Sequence, residues 1–420
     1  NPKLVLRLNS IISNEQWQNY NHYSQIAQEG QKTNYAGGNF TGLKLSQSFS
    51  SKTFYDININ QSVHEYNAYL YKDPLDPRYV TPDHLFWRNV SGAITPDLSE
   101  QYGTGINFFP QYTFSRWGVE TNRFFRNTTT NSLKWELTSQ VNKYNQIKLG
   151  FELQQHLLKQ DGYALLDSSQ SDQIFTPSVP DKKSFNRTTY EYDPFEGSFY
   201  VQDKVEYGDM IINAGIRYEY FDPRSSVPNN IHEPYIKNPR NPALDSLSTE
   251  EKETLDWGSA MYTVEDSLGN PVTYTYADYY QGFGNQQDLY QKTGWWKKTT
   301  VKSQLSPRLG IAYPISDRGV VHFSYGYFFK IPDFSLLYNN TEIKLTDAGT
   351  DFGIFGNPDL KPERSVSYEI GLQQEILPSL KLDLRAYYKD SRDYVSSGIP
   401  IDLGDGKSYY TFVNKDYSNT

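Results

Sequence analysis

Side chains able to do acid–base or metal chemistry are few and scattered. The 6 histidines are His22, His64, His84, His156, His232 and His322, and none stands at ligand spacing from another or from a carboxylate pair. There are 0 cysteines, which removes thiol catalysis, thiolate metal sites and disulfides together. No Gly-x-Ser-x-Gly elbow, phosphate-binding loop or dinucleotide fingerprint occurs. Asp402, Asp405 and Gly406 in "IDLGDGK" have the flavour of a calcium loop, but the spacing is short and no closing Glu follows, so a turn is expected. A hydrolytic barrel would need a triad or paired carboxylates at its rim, and none can be assembled. The chain reads as a non-enzyme with neither metal nor cofactor.

What recurs instead is aromatic. Aromatic residues make up 16% of the chain, with 36 Tyr and 23 Phe. The richest stretch is "TYTYADYYQGFGNQQDLYQKTGWWKK", where rings stand among polar neighbours. Tyr276, Tyr279, Tyr280, Phe283, Trp295 and Trp296 are its ligand-contact candidates. Rings with hydrogen-bonding tips suit sugars, peptides and aromatic chelates. The same stretch also reads as a β-hairpin cap with Thr273–Tyr276 as a strand, and the two readings are compatible. The net charge of -9 and the lack of a basic tract argue against a nucleic-acid partner.

The elements that would carry these residues are strands. Leu133, Trp135 and Leu137 alternate with Lys134, Glu136 and Thr138; Ile147, Leu149, Phe151 and Leu153 alternate with Lys148, Gly150, Glu152 and Gln154. Leu380, Leu382 and Leu384 oppose Lys381, Asp383 and Arg385. The same period of two runs through Leu4–Leu8, Leu43–Phe49, Tyr55–Val63, 197–207, 210–221, 305–314, 319–329 and 365–376. With a closing segment near 409–415, this gives about eleven or twelve strands of roughly ten residues, the length a tilted strand needs to cross a bilayer. Short links near 50–53, 142–145, 207–209, 315–318 and 376–378 alternate with long ones at 65–130, 159–196, 222–304 and 330–364. In an up-and-down barrel that parity gathers all long links at one end, as in outer-membrane barrels. No apolar run of about 18 residues offers a membrane helix. A soluble all-β protein would also alternate, strand by strand. Strand length, link parity and aromatic richness together favour a transmembrane barrel whose apolar residues face lipid and whose Lys134, Glu136, Lys148, Glu152, Asp383 and Arg385 face the lumen.

Three stretches carry a family likeness. "NPDLKPERSVSYEIGLQQ" resembles the hallmark of TonB-dependent outer-membrane receptors, matching at Asn357, Pro358, Leu360, Lys361, Pro362 and Glu363 and again at Tyr368-Glu369. "FYVQDKVEYGDMIINAGIRYEYFD" is similar to the family's Tyr-x-Gln-Asp hairpin, with Glu219 where Asp is frequent. "LSPRLGIAYPISDRGVVHFSYGYFFKIPDFSLLY" is similar to its Ser-Pro-Arg-x-Gly hairpin. Asn357 and Asp359 can cap turns and Pro362 keeps Lys361 extended, so the motif is expected to anchor a loop to the rim. Gly215 and Gly371 point inward, where a missing side chain admits a close neighbour.

The resemblance implies an all-β, antiparallel, up-and-down barrel, present as part of a barrel of about 22 strands around a plug. It implies active uptake of an unknown ligand, a TonB-type energy transducer as partner through an N-terminal segment, and contact with outer-membrane lipid or lipopolysaccharide. Passive porins, export channels and surface-binding β proteins are the competing readings. The plug and terminal strands are not recognisable in this chain, so residues 1–420 are expected to be a partial barrel domain. The start at Asn1-Pro2 and the end at Tyr417-Ser418-Asn419-Thr420 fit a middle portion of a larger receptor, of Bacteroidetes type by resemblance.

Overall fold

The computed structural model describes residues 4–25, 28–79, 119–168, 176–182, 184, 186–229, 231–232, 261–265, 271–275, 296–341, 351–404 and 406–419. Its body is a sheet of long strands: β1 (Leu4–Trp17), β2 (Thr33–Ser48), β3 (Thr53–Tyr69), β4 (Asn122–Gln140), β5 (Asn145–Ala164), β6 (Phe195–Tyr207), β7 (Met210–Asp222), β8 (Lys302–Ser316), β9 (Gly319–Lys330), β10 (Glu363–Leu377), β11 (Leu380–Ser397) and β12 (Lys407–Asn419). Each pairs antiparallel with the next in chain order. Short strands Arg187–Tyr192, Asp351–Phe355 and Ile401–Gly404 join the same 15-stranded sheet.

Link parity is regular. The tight turns 49–52, 141–144, 208–209, 317–318 and 378–379 share one end, and the segments 18–32, 70–121, 165–194, 223–301, 331–362 and 398–406 share the other. Local chemistry explains the turns. Asn142 Oδ1 accepts the Tyr144 and Asn145 amides at 2.8 and 3.0 Å, closing the β4–β5 hairpin. Gly208 takes the positive φ of 60° that the β6–β7 turn requires.

Register sorts the side chains into two faces. One row runs Leu6, Leu45, Ile57, Trp135, Phe151, Phe199, Tyr218, Leu305 across β1 to β8. The adjacent row, on the opposite face, runs Arg7, Lys44, Asn58, Lys134, Glu152, Ser198, Glu219, Gln304. Slipping any strand by one residue would mix the rows, so the pattern fixes the register. The polar face is knitted by ion pairs across and along its strands. Lys44 meets Asp56 at 3.0 Å, Glu136 takes Lys148 at 2.8 Å and the Tyr200 hydroxyl, and Arg217 lies 3.2 Å from Glu219 and 3.9 Å from Glu152. Asp383 pairs with Arg385 at 3.0 Å.

Aromatic rows mark both ends of the apolar face. Tyr35, Tyr69, Phe125 and Tyr163 stack in succession at 4.8, 5.8 and 6.5 Å towards the long links. At the turn end, Phe49 packs against Tyr55 at 5.2 Å and Tyr144 against Tyr207 at 5.8 Å. Paired aromatic belts around an apolar band are how outer-membrane barrels meet both interfaces. No helix among the described residues is long and apolar enough to cross a membrane, which says nothing of crossing by strands.

The strand order is a path from β1 through β12 to Asp351–Phe355, which adds parallel to β12, and among the described residues no pairing joins its two ends. A β1–β12 ladder would have made a small closed barrel. Several strands outrun their expected bounds: β2 begins at Thr33 and β4 at Asn122. The reason lies in composition. Above Leu133 the same face of β4 carries Asn131, Thr129 and Asn127, so the backbone ladder continues after the apolar alternation stops.

Candidate functional site

Where the long links leave the strands, the polar face acquires a buried core. Residues Phe334–Tyr338, after β9, form a single helical turn, α1. Leu337 and Tyr338 are fully buried with Leu158 of β5, Tyr190 of the Arg187–Tyr192 strand, Phe221 of β7 and Leu360. β6, β7 and β8 separate β5 from β9, so α1 crosses the polar face to reach the far wall. There His156 meets Phe334 edge to face at 4.9 Å, its Nδ1 3.0 Å from Thr130 Oγ1 and its Nε2 3.1 Å from Glu196.

Polar ties accompany the packing. The Tyr338 hydroxyl donates to the Pro223 carbonyl at 2.7 Å, and burial pushes that phenol's pKa well up. The Tyr192 ring stacks on Tyr338 at 4.5 Å, and its hydroxyl lies 2.7 Å from Thr341 Oγ1. Thr188 donates to Asn340 at 2.9 Å.

The Asn-Pro-Asp-Leu-Lys-Pro-Glu motif is a second knot at this rim. Asn357 Oδ1 accepts the Asp359 amide at 3.0 Å, and its Nδ2 donates to the Phe412 carbonyl of β12 at 2.9 Å. Pro358 and Leu360 are fully buried. The Lys361 amide donates to Asn414 Oδ1 at 2.8 Å, and Asn414 Nδ2 returns bonds to the Lys361 and Asp393 carbonyls, both at 2.8 Å. Pro362 is buried, and Glu363 pairs with Lys330 at 3.2 Å. Asp359 accepts the Thr300 amide and hydroxyl at 2.8 and 2.7 Å and the Lys302 ammonium at 2.5 Å. Burial pushes the Asp359 carboxyl up, but those donors outweigh it and hold the group below the usual carboxylate range.

The aromatic link is mounted on this knot. Ser226–Pro228 pairs with Trp296–Lys298, and the adjoining Thr299 bonds Ser225. Arg224 meets Asp193 of the preceding link at 2.8 Å, and the Tyr409 hydroxyl donates to the Ile231 carbonyl at 2.6 Å. Within the link, Met261–Glu265 pairs antiparallel with Pro271–Thr275, a hairpin fold-back. Tyr276, Tyr279, Tyr280, Phe283 and Trp295 lie outside the described residues, and Trp296 opens the Trp296–Lys298 strand. Asp402 and Gly406 fall in the hairpin between Ile401–Gly404 and β12, with Gly406 at φ 71°.

Inward glycines receive the protein's own side chains. A Cβ on Gly371 would meet the His322 imidazole at 2.1 Å, and one on Gly150 would meet the Tyr200 hydroxyl at 2.9 Å. The sequence reading missed α1, Thr300, Lys302 and Asn414. The signal for α1 was present: after Pro332-Asp333 the period of two breaks, and Phe334, Leu337 and Tyr338 take helical spacing. Nothing local in sequence points to Asn414, which matters through a partner 53 residues away.

A family model described as TonB dependent receptor-like, beta-barrel matches residues 8–419. No curated protein matches the sequence. Among solved structures, the outer membrane transporter YddB from Escherichia coli aligns with 99% of this chain and 41% of its own, at 11% identity and a TM-score of 0.51. The ferric-catecholate import receptor Fiu from K12 E. coli aligns with 99% and 52%, at 13% identity and a TM-score of 0.47. The alcaligin outer-membrane receptor FauA from Bordetella pertussis aligns with 92% and 43%, at 10% identity and a TM-score of 0.44. The chain thus spans about half or less of the length of these structures. With the family model running through β1 to β12, the chain belongs to the TonB-dependent receptors and is β-barrel sequence of the bacterial outer membrane.

Proposed function

We propose that this barrel serves a receptor for TonB-dependent active uptake of a ligand across the outer membrane. The observation that carries the reading is the family match over 8–419 on a sheet whose long links all gather at one end. A receptor needs one large, shaped surface outside and short turns inside. The aromatic link 223–301 is the ligand-facing element in this reading, with Tyr276, Tyr279, Tyr280, Phe283, Trp295 and Trp296 as contacts. Asn357, Pro358, Leu360, Lys361, Pro362 and Glu363 fasten the rim that carries it. The energy-transducing partner would be TonB-type, engaged through an N-terminal segment and plug like those of the family. The row Tyr35, Tyr69, Phe125 and Tyr163 would sit among lipopolysaccharide headgroups.

Metabolite analysis of what co-purifies with the full-length receptor, followed by uptake of that compound with and without the transducer, tests the proposal. Uptake that stops without the transducer supports it. Uptake that continues would point to a passive porin or an export channel, and binding with no uptake to a surface-binding protein.

A further inference from the structure

Helix α1 is 5 residues long, far below the length at which a helix holds itself together in water. Its order comes from what it docks on, and those surfaces belong to separate links. Leu158 precedes the 165–194 link and Tyr190 lies within it, Phe221 and Pro223 lead into the 223–301 link, and Leu360 closes the 331–362 link. The hydrogen bonds follow the same division. Tyr338 bonds Pro223, Tyr192 and Thr188 bond Thr341 and Asn340, and the Leu336 carbonyl accepts the Asn357 amide at 2.9 Å. The amide of His156 donates to the carbonyl of Pro194 at 3.0 Å, and that proline is fully buried. No residue of β1 to β4 belongs to the cluster.

We propose that α1 is an internal strap that locks the roots of links 165–194, 223–301 and 331–362 into one body. The stem Ser226–Pro228/Trp296–Lys298, which carries the aromatic stretch, then cannot tilt without dragging the Arg187–Tyr192 strand and α1 with it. A displacement of one link on engaging ligand is transmitted mechanically to the other two, while β1 to β3 lie outside the packed cluster and its contacts. The inference rests on contacts within the rim and holds whether or not the protein imports what it binds.

Amide hydrogen exchange on the full-length receptor in detergent tests the strap, comparing wild type with Leu337→Ala and Tyr338→Phe. Tyr338→Phe keeps the ring and removes only the bond to the buried Pro223 carbonyl, so it preserves assembly if Leu337→Ala does not. Leaving that carbonyl unpartnered should speed exchange about tenfold. The increase should appear together at 187–192, 221–228 and 296–299, with 41–63 in β2 and β3 unchanged. An increase confined to 334–341, or none in Tyr338→Phe, overturns the proposal.

Discussion

Between the two aromatic rows, the side chains on the apolar face of β4 and β5 are partly buried or exposed and none is fully buried, and the strands are held by their ladders and by cross-strand pairs on the other face. At the rim, Phe221, Leu337, Tyr338 and Leu360 are no more than 1% exposed and hold the links as a small soluble core would. The contrast follows from solvent. In the band, lipid completes the burial of Trp135 or Leu149 from outside, so the protein needs no second layer there. Above it, water surrounds everything, and apolar residues must be covered by chain. Period two is therefore sufficient to build the band, and it is insufficient to build the rim.

Sidedness gives the sharpest break in this comparison, because its outcome is all or none. The chain has 0 cysteines, so single replacements report cleanly. Asn285→Cys in the aromatic link should react with a membrane-impermeant maleimide on intact cells, and Tyr144→Cys in the β4–β5 turn should not. Labelling of the second alone would turn the molecule over.

Next in size is a charge placed in the band. Leu149→Arg should cost about 2–4 kcal/mol at mid-bilayer and abolish heat-modifiable gel mobility. Lys148→Leu, on the opposite face, leaves Glu136 with the Tyr200 hydroxyl and Lys134, 3.6 Å away, and should assemble. Equal mobility loss in the two variants would erase the distinction between faces.

The rim should answer to a different substitution. Asn414→Ala strips the Lys361 amide and two carbonyls of their partners, a local cost of about 1–3 kcal/mol. Faster exchange at 357–363 with unchanged gel mobility is the expected result, and a loss of assembly would mean that rim and band are not separable.

The smallest effect is a pH dependence at the same knot. Asp359 is held below its unfolded pKa, so its contribution is fully present above about pH 4 and is lost as the pH falls through the lowered folded value. Exchange at 300–302 and 357–361 should therefore rise on acidification in wild type. The rise should be absent in Asp359→Asn, and a rise of the same size in that variant would remove Asp359 as its source.

How much of this was legible in sequence follows the same division. The turn at Asn142, the Gly208 turn and the alternating rows of β4 and β5 are encoded within a few residues, and the link parity shows in spacing alone. The family motif was visible as a string, but its bonding was not: Asn357 reaches Phe412 and Asp359 reaches Lys302, contacts that exist only after the sheet has brought distant strands together. The upper halves of β2 and β4 were hidden because Gly, Asn and Thr interrupt the apolar alternation between the band and the rim aromatics Tyr35 and Phe125. α1 shows in sequence only as a break in the period that revealed everything else, and the strands it docks on show nowhere near it.

Gly150 and Tyr200 illustrate one consequence for how such a wall can change over time. The phenol reaches Glu136 by lying across the space a side chain at 150 would fill, and a Cβ there would also come within 2.5 Å of the Trp135 carbonyl. Position 150 cannot drift, and position 200 drifts only at a cost. A larger residue at 150 evicts the ring and leaves Glu136 to Lys148 and Lys134, while a smaller one at 200 leaves a groove in the wall and the same carboxylate one donor short. Because the Trp135 carbonyl would still block a Cβ after the ring had shrunk, glycine is held at 150 whatever stands at 200, and a set of related sequences should show the residue at 200 varying over an unchanging glycine.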